Sequence, residues 1–241
     1  MSWPYALVSD TGRMRENNED CARVLPELGL YVIADGMGGH VAGEVASRVA
    51  ADTMAAEVAR HPNPRRVRDQ QGILHTAIIA ANTAVLREGE TRKLLGMGTT
   101  LTALRVTRRT ATISHIGDTR AYFVRPKRLQ QLTTDHTLVA MLVATGVVHT
   151  DEAQNHPDKH LLTQAIGTHT EIEPDVFQKR IPRGCRILLC TDGLHDHTPL
   201  DEVHRLALLP DIDEAAQALV DAANSCGGPD NVTVILIASP E

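Results

Sequence analysis

Four aspartates lie where short apolar segments begin or end, each beside a small or turn-forming residue: Asp35, Asp118, Asp192 and Asp230. If those segments are strands of a shared sheet, the carboxylates can converge at one edge. Converging carboxylates repel one another unless cations lie between them, and an all-oxygen site selects hard ions such as Mg²⁺ or Mn²⁺ over zinc. Two such ions sharing a carboxylate suit phosphoester hydrolysis. Asp-Gly is also a common turn pair, so solvated turns are the alternative.

Two further features suit a phosphate ligand. The segment Gly36-Met37-Gly38-Gly39 lets the backbone approach a ligand closely, and the helix predicted after it offers N–H groups to an anion. The guanidinium of Arg15 can bind two phosphate oxygens at once. Each feature alone also fits an ordinary turn or a solvated arginine, and the glycine segment lacks the spacing of a P-loop. No Cys-x5-Arg segment, the mark of a cysteine-dependent phosphatase, occurs in the chain.

The composition excludes several classes of protein. The chain has 241 residues and a net charge of −6, without the basic excess of nucleic-acid-binding proteins. No segment approaches the roughly 20 apolar residues of a membrane span, and the N-terminus lacks the pattern of a secretion signal. The four cysteines form no Cys-x-x-Cys pair, which favours free thiols in a reducing compartment. We therefore predict one domain over residues 1–241, in the cytoplasm, with neither nucleic acid nor membrane as a partner.

Hydrophobic periodicity predicts the elements that must position these residues. A helical pattern follows Gly39 as far as Met54, and a second runs from Leu74 to Val85 after a charged break at 61–71. Strand patterns cover residues 5–35, 99–106, 110–116, 120–125, 128–132, 175–181, 186–190 and 231–238, and helical patterns cover the start of 136–165, 200–208 and 212–225. Strict alternation of strands and helices is absent, so mostly antiparallel sheets with helices packed outside are predicted.

Eight motifs, spread in order over about residues 7–238, resemble those of the metal-dependent protein phosphatases, the PPM or protein phosphatase 2C family, in its compact bacterial form. They are Ser9-Asp10-Thr11-Gly12, Arg15-x-x-Asn18-Glu19-Asp20, Ala34-Asp35-Gly36-Met37-Gly38-Gly39-His40, Ala42-Gly43-Glu44, Gly96-Met97-Gly98-Thr99-Thr100, His115-Ile116-Gly117-Asp118-Thr119-Arg120, Cys190-Thr191-Asp192-Gly193-Leu194 and Gly228-Pro229-Asp230-Asn231-Val232-Thr233. The resemblance implies the α+β class, as a four-layer α-β-β-α sandwich in which two mostly antiparallel sheets are flanked by helices.

The same resemblance assigns a metal core. It implies that Asp35 bridges two ions and that the backbone carbonyl of Gly36 binds one of them. Asp192 and Asp230 would hold the other ion. Asp118 would share a third, looser ion with Asp192, as in bacterial members of the family.

Residues around the core also receive roles from the resemblance. Glu19 and Asp20 match acidic positions that act near the metals, partly through water. Arg15 matches the phosphate-binding arginine, and residues 145–163 match a flap beside the site.

The histidines are the point of departure from the family pattern. Met37 stands where many eukaryotic relatives have a proposed proton donor, so the general acid is unassigned, with His40 and metal-bound water as candidates. At position 195 the pattern has a small residue. We interpret the remaining histidines near these motifs as having no chemical role, with His195 and His197 in a loop and His156 and His160 at the surface of the flap.

The implied activity is hydrolysis of phosphoserine and phosphothreonine on proteins, by a water that bridges two Mg²⁺ or Mn²⁺ ions and attacks phosphorus in line. Implied partners are phosphorylated proteins, including a bacterial Ser/Thr protein kinase that the enzyme opposes. We expect a monomer that holds its substrate mainly by the phosphate. Two alternatives remain: a non-catalytic phosphoprotein-binding module, which would have lost metal aspartates, and a hydrolase of small phosphate esters, which would need a substrate pocket.

Overall fold

Two antiparallel β sheets lie face to face in the computed structural model, with helices against both outer faces. The structure describes residues 3–38, 41–62, 67–94, 96–153 and 156–239. The strands are β1 (Tyr5–Asp10), β2 (Asp20–Leu25), β3 (Leu30–Met37), β4 (Gly98–Thr99), β5 (Leu101–Thr107), β6 (Thr110–Ile116), β7 (Arg120–Arg125), β8 (Arg128–Gln131), β9 (Asp175–Arg180), β10 (Arg186–Cys190) and β11 (Val232–Ala238). The helices are α1 (Val41–Ala59), α2 (Val67–Arg92), α3 (Leu138–Ala144), α4 (Thr150–Ala153), α5 (Asp192–His195), α6 (Leu200–Leu206) and α7 (Ile212–Ser225).

The strand order confirms the predicted sandwich. The first sheet runs β1-β11-β10-β7-β8, and the second runs β2-β3-β5-β6-β9, with the short strand β4 paired to β3. The paired strands are antiparallel in both sheets. β10 lies in the middle of the first sheet, which fits its almost wholly apolar sequence.

Alternation along the strands builds three apolar layers. In β3, Leu30 and Val32 pack against the helices, whereas Tyr31 and Ile33 face the other sheet. This is the two-residue period of a strand buried on both faces. α1 and α2 cover the second sheet, and α6 and α7 cover the first. The central layer between the sheets holds both ring and branched side chains, including Phe123.

Small residues let the helices lie close to the sheets. α1 buries a stripe of alanines that includes Ala46 and Ala50, and α7 buries Ala215 and Ala223 in the same way. Asp211 begins α7 by accepting hydrogen bonds from the backbone N–H groups of the first turn, which have no partner within the helix.

Several boundaries differ from the predicted ones, including the ends of α1 at Ala59 and of α2 at Arg92, and the short helix α5 was not predicted. α2 begins at Val67, inside the segment predicted as a charged break, because intrinsic helix propensity continues through its polar first turns. β3 continues past Asp35 to Met37, since its end pairs with β4. Residues 136–165 contain a second, short helix, α4, in addition to the predicted one. In the described part of the chain, every helix is too short or too polar to cross a bilayer.

Candidate metal centre

Strand ends from both sheets bring the four predicted aspartates to one edge of the sandwich. Asp35 in β3 and Asp118 just after β6 come from the second sheet, whereas Asp192 after β10 and Asp230 just before β11 come from the first. All four line one cavity of about 760 Å³. Arg15, Glu19 and Gly36 line the same cavity. The convergence predicted from the sequence is therefore present.

A fifth carboxylate, that of Asp20, lies opposite Asp35 in the register of β2 and β3. Its Oδ2 atom accepts hydrogen bonds from the hydroxyls of Thr191 at 2.9 Å and Thr233 at 2.7 Å. Thr191 lies between β10 and α5, and Thr233 lies in β11, so Asp20 links the second sheet to the first. Its proximity to the site was predicted, but the hydroxyl contacts across the sheets were not.

Burial and mutual repulsion act on these carboxylates together. Burial raises the pKa of Asp35 well above its usual range, and the charges of Asp20 and Asp192 raise it further. Burial and then Asp192 do the same to the pKa of Asp118. Burial raises the pKa of Asp20 to about 7, against the two hydroxyl hydrogen bonds. Full ionisation of such a group requires positive charge among the carboxylates.

The unpaired oxygens fit divalent cations. Within the described residues, the buried Oδ1 atoms of Asp20 and Asp192 have no hydrogen-bond partner. An orphaned buried acceptor costs about 1–3 kcal/mol, and more when it is charged. Carboxylate oxygens without donors, gathered on a cavity, are the ligands that Mg²⁺ and Mn²⁺ prefer. The residues present therefore suit the metal ions implied by the sequence.

Asp192 is the exception among the carboxylates. Burial opposes its ionisation, but the nearby imidazoles of His160 and His195 outweigh burial and lower its pKa. The Nδ1 atom of His160 lies 3.8 Å from Asp192 Oδ2 and 3.4 Å from Asp196 Oδ2. His160 is 53% exposed, as predicted for a surface residue, and the fold of the flap carries its ring to this edge.

His195 differs from the prediction, whereas His197 lies in the turn after α5, as predicted. His195 is buried within α5 and not in a loop, and its ring contacts the main-chain oxygen of Asp118 at 3.2 Å. His197 lines the metal-site cavity. Met37 lines it as well, whereas His40, the other candidate general acid, lies outside the described residues.

Arg15 lies at the cavity but is bound to a carboxylate. Its Nη2 atom donates to Asp230 Oδ2 at 2.8 Å, and its Nε atom donates to the carbonyl of Pro229 at 3.3 Å. The side chain is 49% exposed, so it has room to turn towards a ligand. The structure thus places the predicted phosphate-binding residue beside a predicted metal ligand.

Gly36 of β3 lines the cavity and also has a packing role that was not predicted. A Cβ on Gly36 would overlap the main-chain oxygen of Gly43 in α1, and a Cβ on Gly43 would overlap the carboxylate of Glu19. α1 and β3 therefore meet without side chains between them. This close contact fixes Glu19 at the wall of the cavity.

Asn231 is a positioning residue to which the sequence analysis gave no role. Its Oδ1 atom accepts a hydrogen bond from the backbone N–H of Glu19 at 2.8 Å, and its Nδ2 atom donates to the carbonyls of Thr11 and Asn17 at 2.9 Å. These bonds fasten the segment that carries Arg15 to the start of β11. Its position directly after Asp230 in a recognised motif was the available signal.

Comparison with known proteins agrees with this geometry. The model of the family described as "Protein phosphatase 2C" matches residues 14–227. The serine/threonine protein phosphatase PstP of Mycobacterium tuberculosis is 39% identical over 233 residues, which are 96% of this chain and 44% of PstP. The serine/threonine phosphatase stp of Listeria monocytogenes is 35% identical over 234 residues, covering 95% of this chain and 93% of stp.

A solved structure adds the metal. The catalytic domain of PstP in complex with two manganese ions superimposes with a TM-score of 0.88 at 37% identity, covering 98% of each chain. The present chain belongs to the protein phosphatase 2C family, which confirms the resemblance drawn from its motifs. It spans less than half the length of the mycobacterial relatives PstP.

Proposed function

We propose that the chain is a metal-dependent protein serine/threonine phosphatase that hydrolyses phosphoserine and phosphothreonine. The observation that carries the proposal is the meeting of Asp35, Asp118, Asp192 and Asp230 at one cavity that Arg15 also lines. Its relatives PstP and stp are serine/threonine phosphatases, which supports the same activity here. Residues 1–241 form one catalytic domain.

The proposed metal ligands follow the positions of the carboxylates. Asp35 would hold two ions, with the carbonyl of Gly36 on one of them and Asp192 with Asp230 on the other. Two Mg²⁺ or Mn²⁺ ions supply Lewis acidity and positive charge for attack of water on phosphorus. The orphaned oxygen of Asp192 supports its place in the set.

The remaining acidic residues surround that pair. Asp118 lies beside Asp192, and their mutual repulsion supports a third ion between them. Glu19, which lines the cavity, and Asp20 act on the metal ions, partly through water. In the proposed centre, Asp20 stays ionised only while positive charge lies nearby, because its pKa is otherwise raised.

Arg15 binds the phosphate and stabilises the charge that gathers on its oxygens. Its guanidinium reaches a phosphate only after giving up the contact with Asp230, and its half-exposed position allows that movement. A planar guanidinium presents two N–H groups to two phosphate oxygens, which fixes the direction of the phosphorus–oxygen bond that breaks.

The proposal extends to the partners and the compartment. The substrates are phosphorylated proteins, among them a bacterial Ser/Thr kinase, and the enzyme acts as a monomer without nucleic acid or membrane. The free thiols of Cys21, Cys185, Cys190 and Cys226 support a reducing, cytoplasmic location.

A substrate panel tests the activity. Release of phosphate is measured from a phosphothreonine peptide and from small phosphate esters, each with Mn²⁺ and with EDTA. We expect Mn²⁺-dependent release from the peptide. Tight peptide binding without release would favour a phosphoprotein-binding module, and release only from small esters would favour a small-molecule phosphoesterase.

A further inference from the structure

The carboxylate of Asp196, just after α5, joins the flap to the metal edge. The ammonium of Lys159 lies 3.0 Å from its Oδ2 atom, and His160 Nδ1 lies 3.4 Å from the same oxygen. Both side chains belong to the flap. Asp196 has no part in the proposed metal set, so these contacts need another explanation.

The other oxygen of Asp196 continues the chain of contacts. Its Oδ1 atom lies 3.0 Å from His195 Nδ1, and His195 Nε2 lies 3.2 Å from the main-chain oxygen of Asp118. A continuous path therefore runs from Lys159 through Asp196 and His195 to Asp118.

These contacts are partly or wholly removed from water. Lys159 is 26% exposed, Asp196 is 16% exposed and His195 is 2% exposed in its side chain. Burial opposes the charge on Asp196, but His195 and Lys159 outweigh burial and hold its pKa well below the usual range. An ion pair between this partly buried carboxylate and a cation is stronger than an ion pair on the exposed surface.

The residues that follow Lys159 and His160 form part of the cavity wall. Leu161 and Leu162 line the metal-site cavity. The carbonyl of Leu161 accepts a hydrogen bond from Leu138 N–H at 2.8 Å, and Leu162 forms a β-bridge with Thr137. The ion pair between Lys159 and Asp196 adds a side-chain contact that ties this wall to the turn after α5.

We propose that Asp196 is a positioning residue that, through Lys159, holds Leu161 and Leu162 at the mouth of the metal cavity and so sets the affinity for a polypeptide substrate. The inference rests on the proposed function in one respect, which is that the substrate enters this cavity. A polypeptide extends from the phosphate to the flap wall. A small aryl phosphate ends before it.

The test compares two substrates in the full chain. KM and kcat are measured with Mn²⁺ for a phosphothreonine peptide and for p-nitrophenyl phosphate. The variants are Lys159→Met, Lys159→Arg, Asp196→Asn and the double variant Lys159→Met/Asp196→Asn. Lys127→Met removes an exposed lysine in the turn between β7 and β8 and is the matched control.

We expect Lys159→Met to raise KM for the peptide about fivefold, the scale of a partly buried charged contact, with a smaller change for the aryl phosphate. Lys159→Arg keeps the charge and restores most of the affinity. The double variant binds the peptide no worse than Asp196→Asn alone, because the two residues act through one contact. An equal loss on both substrates, or no loss on either, overturns the proposal.

Hydrogen exchange gives a readout that does not depend on activity. Lys159→Met should speed amide exchange at Leu161–Thr163 in the metal-free protein, whereas Lys127→Met should not. Unchanged exchange overturns the proposed role of the ion pair even if the protein is active. Absence of phosphate release by the unaltered chain, with faster exchange in Lys159→Met, contradicts the proposed function and leaves the positioning contact supported.

Discussion

Asp20 lies directly opposite Asp35 across the antiparallel pair of β2 and β3, so two acidic side chains leave the same face of one sheet at neighbouring positions. Like charges opposite each other destabilise a sheet. Here the threonine hydroxyls from the other sheet satisfy one oxygen of Asp20 and leave the second without a donor. A bound cation would stabilise this pair of carboxylates, and without a cation the pair destabilises the protein.

Without metal, the protein should become less stable as the pH rises, whereas the stabilisation by bound metal should increase. The pKa of Asp20 is raised to about 7, and those of Asp35 and Asp118 are raised as well, so the folded protein holds protons more tightly than the unfolded chain. The contribution of Asp20 is complete below the ordinary carboxylate pKa and is lost as the pH rises through about 7. Those of Asp35 and Asp118 are lost as the pH rises through their own raised pKa values. Metal binding needs the ionised forms and strengthens as the pH rises.

Thermal unfolding at pH 6 and pH 8 checks this. In EDTA the melting temperature should be lower at pH 8 than at pH 6, and saturating Mn²⁺ should raise it more at pH 8. Asp20→Asn removes one of the titrating groups and should narrow the difference seen in EDTA. A metal-free protein that is more stable at pH 8 would contradict the raised pKa values.

Asp192→Asn should abolish turnover and weaken the binding of more than one metal ion, because Asp192 is proposed to serve both the core pair and the third ion. Asp118→Asn should lower activity while leaving the core pair bound. Calorimetric titration with Mn²⁺ measures both. Unchanged Mn²⁺ stoichiometry in Asp192→Asn, together with near-normal activity, would rule out this assignment.

Arg15→Ala should raise KM and lower kcat, since the guanidinium holds phosphate in the ground state and in the transition state. The loss in kcat/KM should be about 100-fold, the scale of one charge-stabilising group at a reacting centre. Arg15→Lys should recover only part of it, because an ammonium lacks the planar two-point contact. Steady-state kinetics on a phosphothreonine peptide decide this, and a fully active Arg15→Lys would show that the two-point contact is not needed.

A pair of glycines tests how tightly the chain packs where β10 ends and β11 begins, beside the site. A Cβ on Gly193 would overlap the main-chain oxygen of Asn231, next to Asp230, so Gly193→Ala should destabilise the protein by about 2 kcal/mol or more and lower activity. Gly72 in α2 has open space around the position of a Cβ, and Gly72→Ala should stabilise by about 0.5–1 kcal/mol. Urea unfolding in EDTA gives both values. Equal changes in the free energy of unfolding would show that the backbone at Asn231 shifts easily to make room for the methyl group.

Most of the fold could be predicted from patterns within single elements of the sequence. The alternation of Leu30–Ile33 and the helical stripe of α2 are repeats within single elements, so the sequence displays them directly. The motifs around Asp35, Asp118, Asp192 and Asp230 likewise show that a strand end lies beside each carboxylate. The cavity confirms that these ends meet.

Contacts between distant segments were not predictable in the same way. The pairing of His160 with Asp192 depends on the path of the flap, and the burial of His195 depends on the contact of α5 with the main chain at Asp118. Neither is a periodic or spacing signal. The packing of Gly36 was not predicted for a related reason, because its neighbour Gly43 belongs to another element.

Anomalous X-ray scattering at the manganese edge, from crystals grown with Mn²⁺, tests the proposed two-metal centre most directly. We predict two strong peaks that share the carboxylate of Asp35, with Asp192 and Asp230 on one of them. The cluster of His160, Asp192 and Asp196, whose ligand atoms lie within 4.8 Å of one another, is the competing location. Peaks confined to that cluster, with none bound to Asp35, would contradict the account.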